Sequence, residues 1–204
     1  MTLHQAINEY RKLKISEATA MAMNANTDSI KNATISLFQK VNGNLMAMMN
    51  ENTIDPFTAC LLFSEMSMRK IGDLTPFLAY YFGTKAQSQS SIPEHSKLDA
   101  RRMRVFALVQ NMDKFDRMVM LAQTPMIGYS GTLNDQEFFD FLIMADVYRV
   151  WDSDNTSSFL QSLKRQTQEN SLKYPMHSKE TIIREGEKAH QALFKAIEMA
   201  CGPR

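Results

Sequence analysis

At 204 residues, with 44% apolar and 22% charged side chains, the chain has an ordinary globular composition and can bury a core without a disulfide or metal staple. A formal charge of +1 means that any affinity for nucleic acid or membrane must come from uneven charge distribution rather than from bulk charge. The cysteines, Cys60 and Cys201, form no CxxC, the polar start MTLHQAINEYRKLK argues against a signal peptide, and no run approaches a membrane span. The expected setting is the cytoplasm or another reduced intracellular compartment, or a virion.

Helical punctuation recurs along the chain. Leu3, Ile7, Tyr10, Leu13 and Ala18 recur at three- to five-residue steps, as in an amphipathic helix. Thr27 or Asp28 can cap a second helix carrying Ile30, Ala33, Leu37, Val41, Leu45 and Met48 on one stripe. Asp55-Pro56 opens a third, with proline at the first helical position, and Gly72 is placed to close it through a left-handed turn. Thr75-Pro76 repeats the start signal for the short, aromatic FLAYYF, with Gly83 placed to end it.

Residues 84–96, TKAQSQSSIPEHS, lack periodicity and read as a hinge or exposed loop between an N-terminal helical lobe, 1–83, and a C-terminal one, 97–204. Ser96 is the expected cap of KLDARRMRVFALVQNMDKFDRMVMLAQTP, whose core stripe is read as Leu98, Val105, Val109 and Met112. Asn134 and Glu137 form a capping box for DQEFFDFLIMADVYRVW. Asp152 or Ser153 starts the next helix, and Ser178 the last, which stops at Gly202-Pro203. No segment alternates with period two. The expected fold is all-α, about eight or nine helices in one domain or two small lobes.

Charge is unevenly spread. Between Lys97 and Arg117 six basic residues face three acidic ones, and residues 161–204 hold eight basic against five acidic. Residues 133–160 are acidic, six to one. Such a pattern steers self-association and leaves basic surfaces suited to phosphate, because a guanidinium fork donates two hydrogen bonds at once. The residues expected to contact phosphate are Arg101, Arg102, Arg104, Lys114 and Arg117, with Lys164 and Arg165 as a second wall. Tyr80, Tyr81, Phe82 and Tyr129 could stack on unpaired bases, or be buried aromatics. Against this stands the ordinary reading of a solvated helix edge, with Arg102 paired to Asp99 three residues earlier.

Linear catalytic motifs do not survive inspection. Ser67–Lys70 fits S-x-x-K without its companions, and Gly128–Thr132 misses the final glycine of a nucleophile elbow. The sixth position of DSDNTS, from Asp152, is not the glycine of a calcium loop, and His4, His95, His177 and His190 form no ligand spacing. No cofactor or metal is expected, and the sequence nominates no enzymatic site. The expectation is a structural protein that binds single-stranded nucleic acid, RNA above all, as a self-associating subunit. That arrangement is similar in general design to viral nucleoproteins, a likeness of architecture alone. The alternative is a helical scaffold, matrix-like or adaptor protein that receives a partner through methionine-rich surfaces such as LMAMMN (Leu45–Asn50) and MVMLA (Met118–Ala122).

Overall fold

The computed structural model describes residues 1–129, 131, 133–150 and 158–202. Among them it has ten α-helices, a single 3-10 turn at Pro125–Ile127 and no strand, so the protein is all-α. The chain divides into two compact units, Met1–Ala107 with Cys201–Arg204, and Leu108–Ala200.

In the first unit, α1 (Leu3–Ala22) starts at Thr2, whose side chain and that of Gln5 form a reciprocal capping box. Only Leu3, Ala6, Ile7 and Tyr10 of α1 are buried, where it packs on α2 (Asp28–Asn42) and α4 (Pro56–Met68). α3 (Leu45–Asn50) buries Leu45, Met48 and Met49 and contacts α5 (Thr75–Ser88). Asp55 accepts from the Thr58 N–H at 2.9 Å with Pro56 beside it, the start expected for α4.

The end of α4 differs from expectation. Lys70 takes the left-handed position at φ 56°, with its N–H on the Ser67 carbonyl and that of Ile71 on the Met66 carbonyl. Gly72, at φ 81°, serves the next turn, where a Cβ would lie 2.4 Å from Asn42 Oδ1.

α5 is the central helix of this unit, and every residue from Thr75 to Thr84 is buried. It runs five residues past Gly83. That glycine sits inside the helix because a Cβ there would meet Cys60 Sγ at 3.2 Å and the Ala100 carbonyl at 3.3 Å. Residues 84–88 are therefore helical, and only 89–93 join α5 to α6 (Glu94–Gln110). α6 begins directly after Pro93, so Ser96 lies within the helix and is buried instead of capping it.

The second unit is arranged about α8 (Asp135–Arg149), which opens with the expected Asn134–Glu137 capping box. Every residue from Phe138 to Val147 is buried, as in a helix covered on all sides. α7 (Met112–Ala122) and α9 (Ser158–Ser171) pack on it. The expected start of α9 at Asp152 or Ser153 lies outside the described residues. α10 (Lys179–Cys201) begins at Ser178, whose hydroxyl accepts from the Thr181 N–H. It crosses α8 at Gly186, where a Cβ would fall 2.3 Å from Ala145 Cβ and 2.5 Å from the Phe141 carbonyl oxygen.

The crossing yields a contrast between two glycines. Gly186→Ala drives a methyl into backbone and is expected to destabilise the second unit by about 3 kcal/mol. Gly43 has right-handed geometry and its nearest neighbour, the Lys40 carbonyl, is 3.9 Å away, so Gly43→Ala should be neutral or stabilising by about 0.4–1 kcal/mol. Urea unfolding followed by helical circular dichroism measures both.

Candidate functional site

The arginine stretch does not form one helix. α6 ends at Gln110, Asn111 turns with its N–H on the Leu108 carbonyl, and α7 starts afresh at Met112. Lys114 and Arg117 thus sit on a different helix, and in a different unit, from the three arginines of α6. The buried stripe of α6 is also rotated from the expected one: Ala100, Arg104, Ala107 and Leu108 are buried with Val105, while Leu98 and Val109 are half-buried.

Arg104 is 1% exposed, its guanidinium carbon 6.0 Å from the centre of the Tyr80 ring. It reaches the neighbourhood of Cys60, whose thiol is pushed up to about 12 by burial despite the nearby Ser64 hydroxyl and Arg104 charge. A side chain in that position has no access to a solvated polymer, so the phosphate contact expected of Arg104 is replaced by a role in the core.

Arg102 Nη1 pairs with Asp99 Oδ1 at 2.9 Å, the local pair that the sequence suggested, and Lys97 pairs with Glu94 at 2.9 Å. The Lys97 hydrogen bond holds the Glu94 carboxyl below the ordinary range, with a smaller contribution from Arg101. Arg101 and Lys164 are half-buried; Lys114, Arg117 and Arg165 are exposed. Of the seven predicted residues, three therefore belong to the first unit and four to the second. Tyr80, Tyr81, Phe82 and Tyr129 are buried and offer no stacking face. Met48 and Met49 are buried as well, leaving Met46 as the exposed methionine of that segment.

What the structure assembles instead is a groove in the second unit. Arg184, Lys188, Gln191 and Lys195 are spaced i, i+4, i+7, i+11, one stripe of α10. They form a wall of a hollow of about 920 Å³ that is also lined by Ile127, Tyr129 and Arg149. A second hollow of about 530 Å³ shares Ile127, Gly128 and Lys195 with the first and continues past Pro125, Met126 and Met199. The second hollow also takes in Glu198, so both ends of the groove carry charge, and the second adds the exposed side chains of Met126 and Met199.

Several charges of the larger hollow are internally compensated. Arg149 Nε lies 3.0 Å from Glu187 Oε1, an ion pair without hydrogen-bond alignment, and Glu185 receives Arg184 at 3.2 Å and Lys188 at 3.1 Å. Burial works against the charged form of Glu185, yet the Lys188 and Arg184 hydrogen bonds hold its carboxyl below the ordinary range. Tyr129 lines the same hollow, and its buried hydroxyl has no hydrogen-bond partner among the described residues. Burial, with the negative charges of Glu185 and Glu137, pushes this phenol up to about 12, so at neutral pH it keeps its proton. Net charge over residues 161–204 hides the α10 stripe, whose alternating four- and three-residue spacing was its one legible signal.

A second feature is the outer half of α1. Ile15, Ala18, Met21 and Ala22 follow the i, i+3, i+6, i+7 spacing of a single face, and all are exposed. Ile15 is 61%, Met21 64% and Met23 73% exposed, and α2 buries no residue before Thr34. An amphipathic helix ordinarily turns such a stripe inward. The hairpin of α1 and α2 is anchored only at its base.

That base is polar and tightly joined. Glu65 of α4 accepts from the Tyr10 hydroxyl at 2.8 Å, Lys14 at 2.8 Å and Arg69 at 3.1 Å, beside a small hollow of about 380 Å³. Arg11 and Asp55 form a further ion pair across α1 and the start of α4. Burial raises Glu65, but the Lys14 and Tyr10 hydrogen bonds outweigh it and hold the carboxyl below its ordinary range.

Among the described residues no cluster of His, Cys, Asp and Glu could hold a metal ion, and no helix is long and apolar enough to cross a membrane. No family model matches the chain, and no curated protein or solved structure is found to be similar to it.

A lowered carboxyl stabilises the fold wherever the unfolded chain is already ionised, and that stability is lost as pH falls through the folded value. The first unit should therefore weaken below the ordinary glutamate range, about pH 4.3. Glu65→Gln is expected to cost about 1.5–3 kcal/mol at neutral pH and to flatten that acid loss. Urea midpoints across acidic pH separate the two curves.

Proposed function

We propose that the protein is a helical interaction module that self-associates through exposed, methionine-rich apolar surfaces. The observation that carries this reading is the outward apolar stripe of α1 from Ile15 to Ala22. Burying large apolar side chains is worth about 1.5–3 kcal/mol each, so Ile15, Met21 and Met23 are a large unspent driving force for association. Methionine suits such a surface because its unbranched thioether repacks against varied partners. Met46, Met120, Met126 and Met199 extend the same character over both units.

Coating of single-stranded RNA is the second reading. What favours it is that Arg117 and Arg165 are exposed in the second unit and no ion pair holds either of them among the described residues. Against it, the α6 part of the predicted cation set is buried at Arg104 and paired at Arg102.

One preparation distinguishes the readings. Size-exclusion chromatography with light scattering is expected to show concentration-dependent oligomers free of absorbance at 260 nm, and Met21→Glu with Met23→Glu should reduce them to monomer. If the oligomer instead carries nucleic acid, and Arg117→Glu with Arg165→Glu releases it with a shallower salt dependence, the RNA reading stands and the interaction module does not.

A further inference from the structure

Two unpartnered surfaces on one chain are complementary in kind. The α1–α2 hairpin presents an apolar stripe that ends with Met21 in the last helical turn of α1 and Met23 at its C-cap. The groove beside α10 ends in a hollow where two exposed thioethers, Met126 at 86% and Met199 at 60%, lie beside Pro125, Ile127 and the charged Lys195 and Glu198. Each has an unused charge at its side. Asp28, just past the hairpin turn, is exposed, and Glu17 and Asp28 are the only charged residues from Ile15 to Ile30. Lys195, which lines both hollows, is exposed. Neither Asp28 nor Lys195 belongs to an ion pair among the described residues, whereas Glu17 is already held by Lys14 at 2.9 Å.

We infer that the hairpin of one copy docks in the α10 groove of another, an inference that rests on the self-association proposed above. The occupant is a second copy of this chain. Met21 and Met23 enter the hollow of Met126 and Met199, and Asp28 meets Lys195. α1 rises by about 1.5 Å per residue, so its exposed half reaches roughly 18 Å beyond Tyr10, while the lining of the groove follows α10 for roughly 28 Å from Glu180 to Met199. The hairpin is short enough to lie along it.

The contact is heterologous: the surface each copy offers is not the surface it receives. A mixing experiment tests this directly. An arm variant, Met21→Glu with Met23→Glu, and a groove variant, Met126→Glu with Met199→Glu, change only exposed side chains, and circular dichroism verifies that both remain helical. By light scattering, wild type should assemble and each variant alone should be monomeric. The equimolar mixture should give a dimer of twice the chain mass and nothing larger, because one intact arm meets one intact groove. Asp28→Lys should weaken wild-type assembly at least tenfold in concentration, and Lys195→Asp in the other copy should restore it.

A mixture that stays monomeric while wild type assembles overturns the docking mode and leaves self-association standing. Assembly by either variant alone does the same. Wild type that remains monomeric throughout overturns both.

Discussion

Each unit is built round a helix that has no solvent face, and this constraint governs what the rest of the chain can present. From Thr75 to Thr84 in α5 and from Phe138 to Val147 in α8, every residue is buried. Polar groups on such a helix must find partners inside, since an unpaired buried charge costs several kcal/mol. Asp140 meets this by accepting from Gln136 at 3.0 Å, Asn170 at 3.2 Å and Tyr174 at 2.8 Å, which ties α9 and the segment after it to α8. Asp146 faces His190 of α10 at 3.3 Å, and the same imidazole nitrogen lies 3.1 Å from the Leu142 carbonyl oxygen. The polar anchors therefore set the rotation of α10 as much as the apolar contacts do.

That rotation places the groove. With Gly186 against α8 and His190 buried, the helical period puts Arg184, Lys188, Gln191 and Lys195 on other faces of α10, where they line the hollow. The groove is thus a by-product of how the central helix is satisfied. Its methionine-lined end lies where the 3-10 turn Pro125–Ile127 stops at Gly128, whose φ of 81° reverses the chain at the cost only glycine avoids.

Local rules were legible in the sequence and relations between helices were not. Asp55-Pro56, Asn134 with Glu137 and Ser178 each start a helix where their side chains can accept an orphan N–H, a property of a few adjacent residues. Gly83 looks like a terminator from its neighbours alone, but its role is set by Cys60 and Ala100, residues of two other helices. Arg104 likewise reads as a surface cation in any helical projection. What draws it inward is Tyr80 and the small residues Ala100 and Ala107, which leave room beside it on α6. The break at Asn111 divides a stretch whose charges look continuous, so a linear count joined cations that the fold assigns to different units. The amphipathic stripe read in α1 ran from Leu3 to Ala18; Leu3, Ile7 and Tyr10 are buried and Ala18 is exposed, and nothing in one chain's periodicity says where the covering stops.

That uncovered half makes the near-neutral total charge consequential. Copies of a chain with net charge +1 repel one another weakly, so apolar contacts need not overcome a large electrostatic barrier. Orientation must then come from local features, and the uneven distribution along the sequence supplies them. A heterologous contact of arm and groove leaves one free arm and one free groove after each addition, so it extends into a ring or an open helical filament according to the rotation between neighbours. The hairpin geometry bears on which of these forms. Glu65 fixes Tyr10, Lys14 and Arg69 at the base, so the direction of the arm is set by part-buried hydrogen bonds and ion pairs, while in the proposed docking its tip would meet methionines that tolerate repacking. A stiff base with an adaptable tip allows successive copies to join at a consistent angle without demanding close shape complementarity at the contact itself.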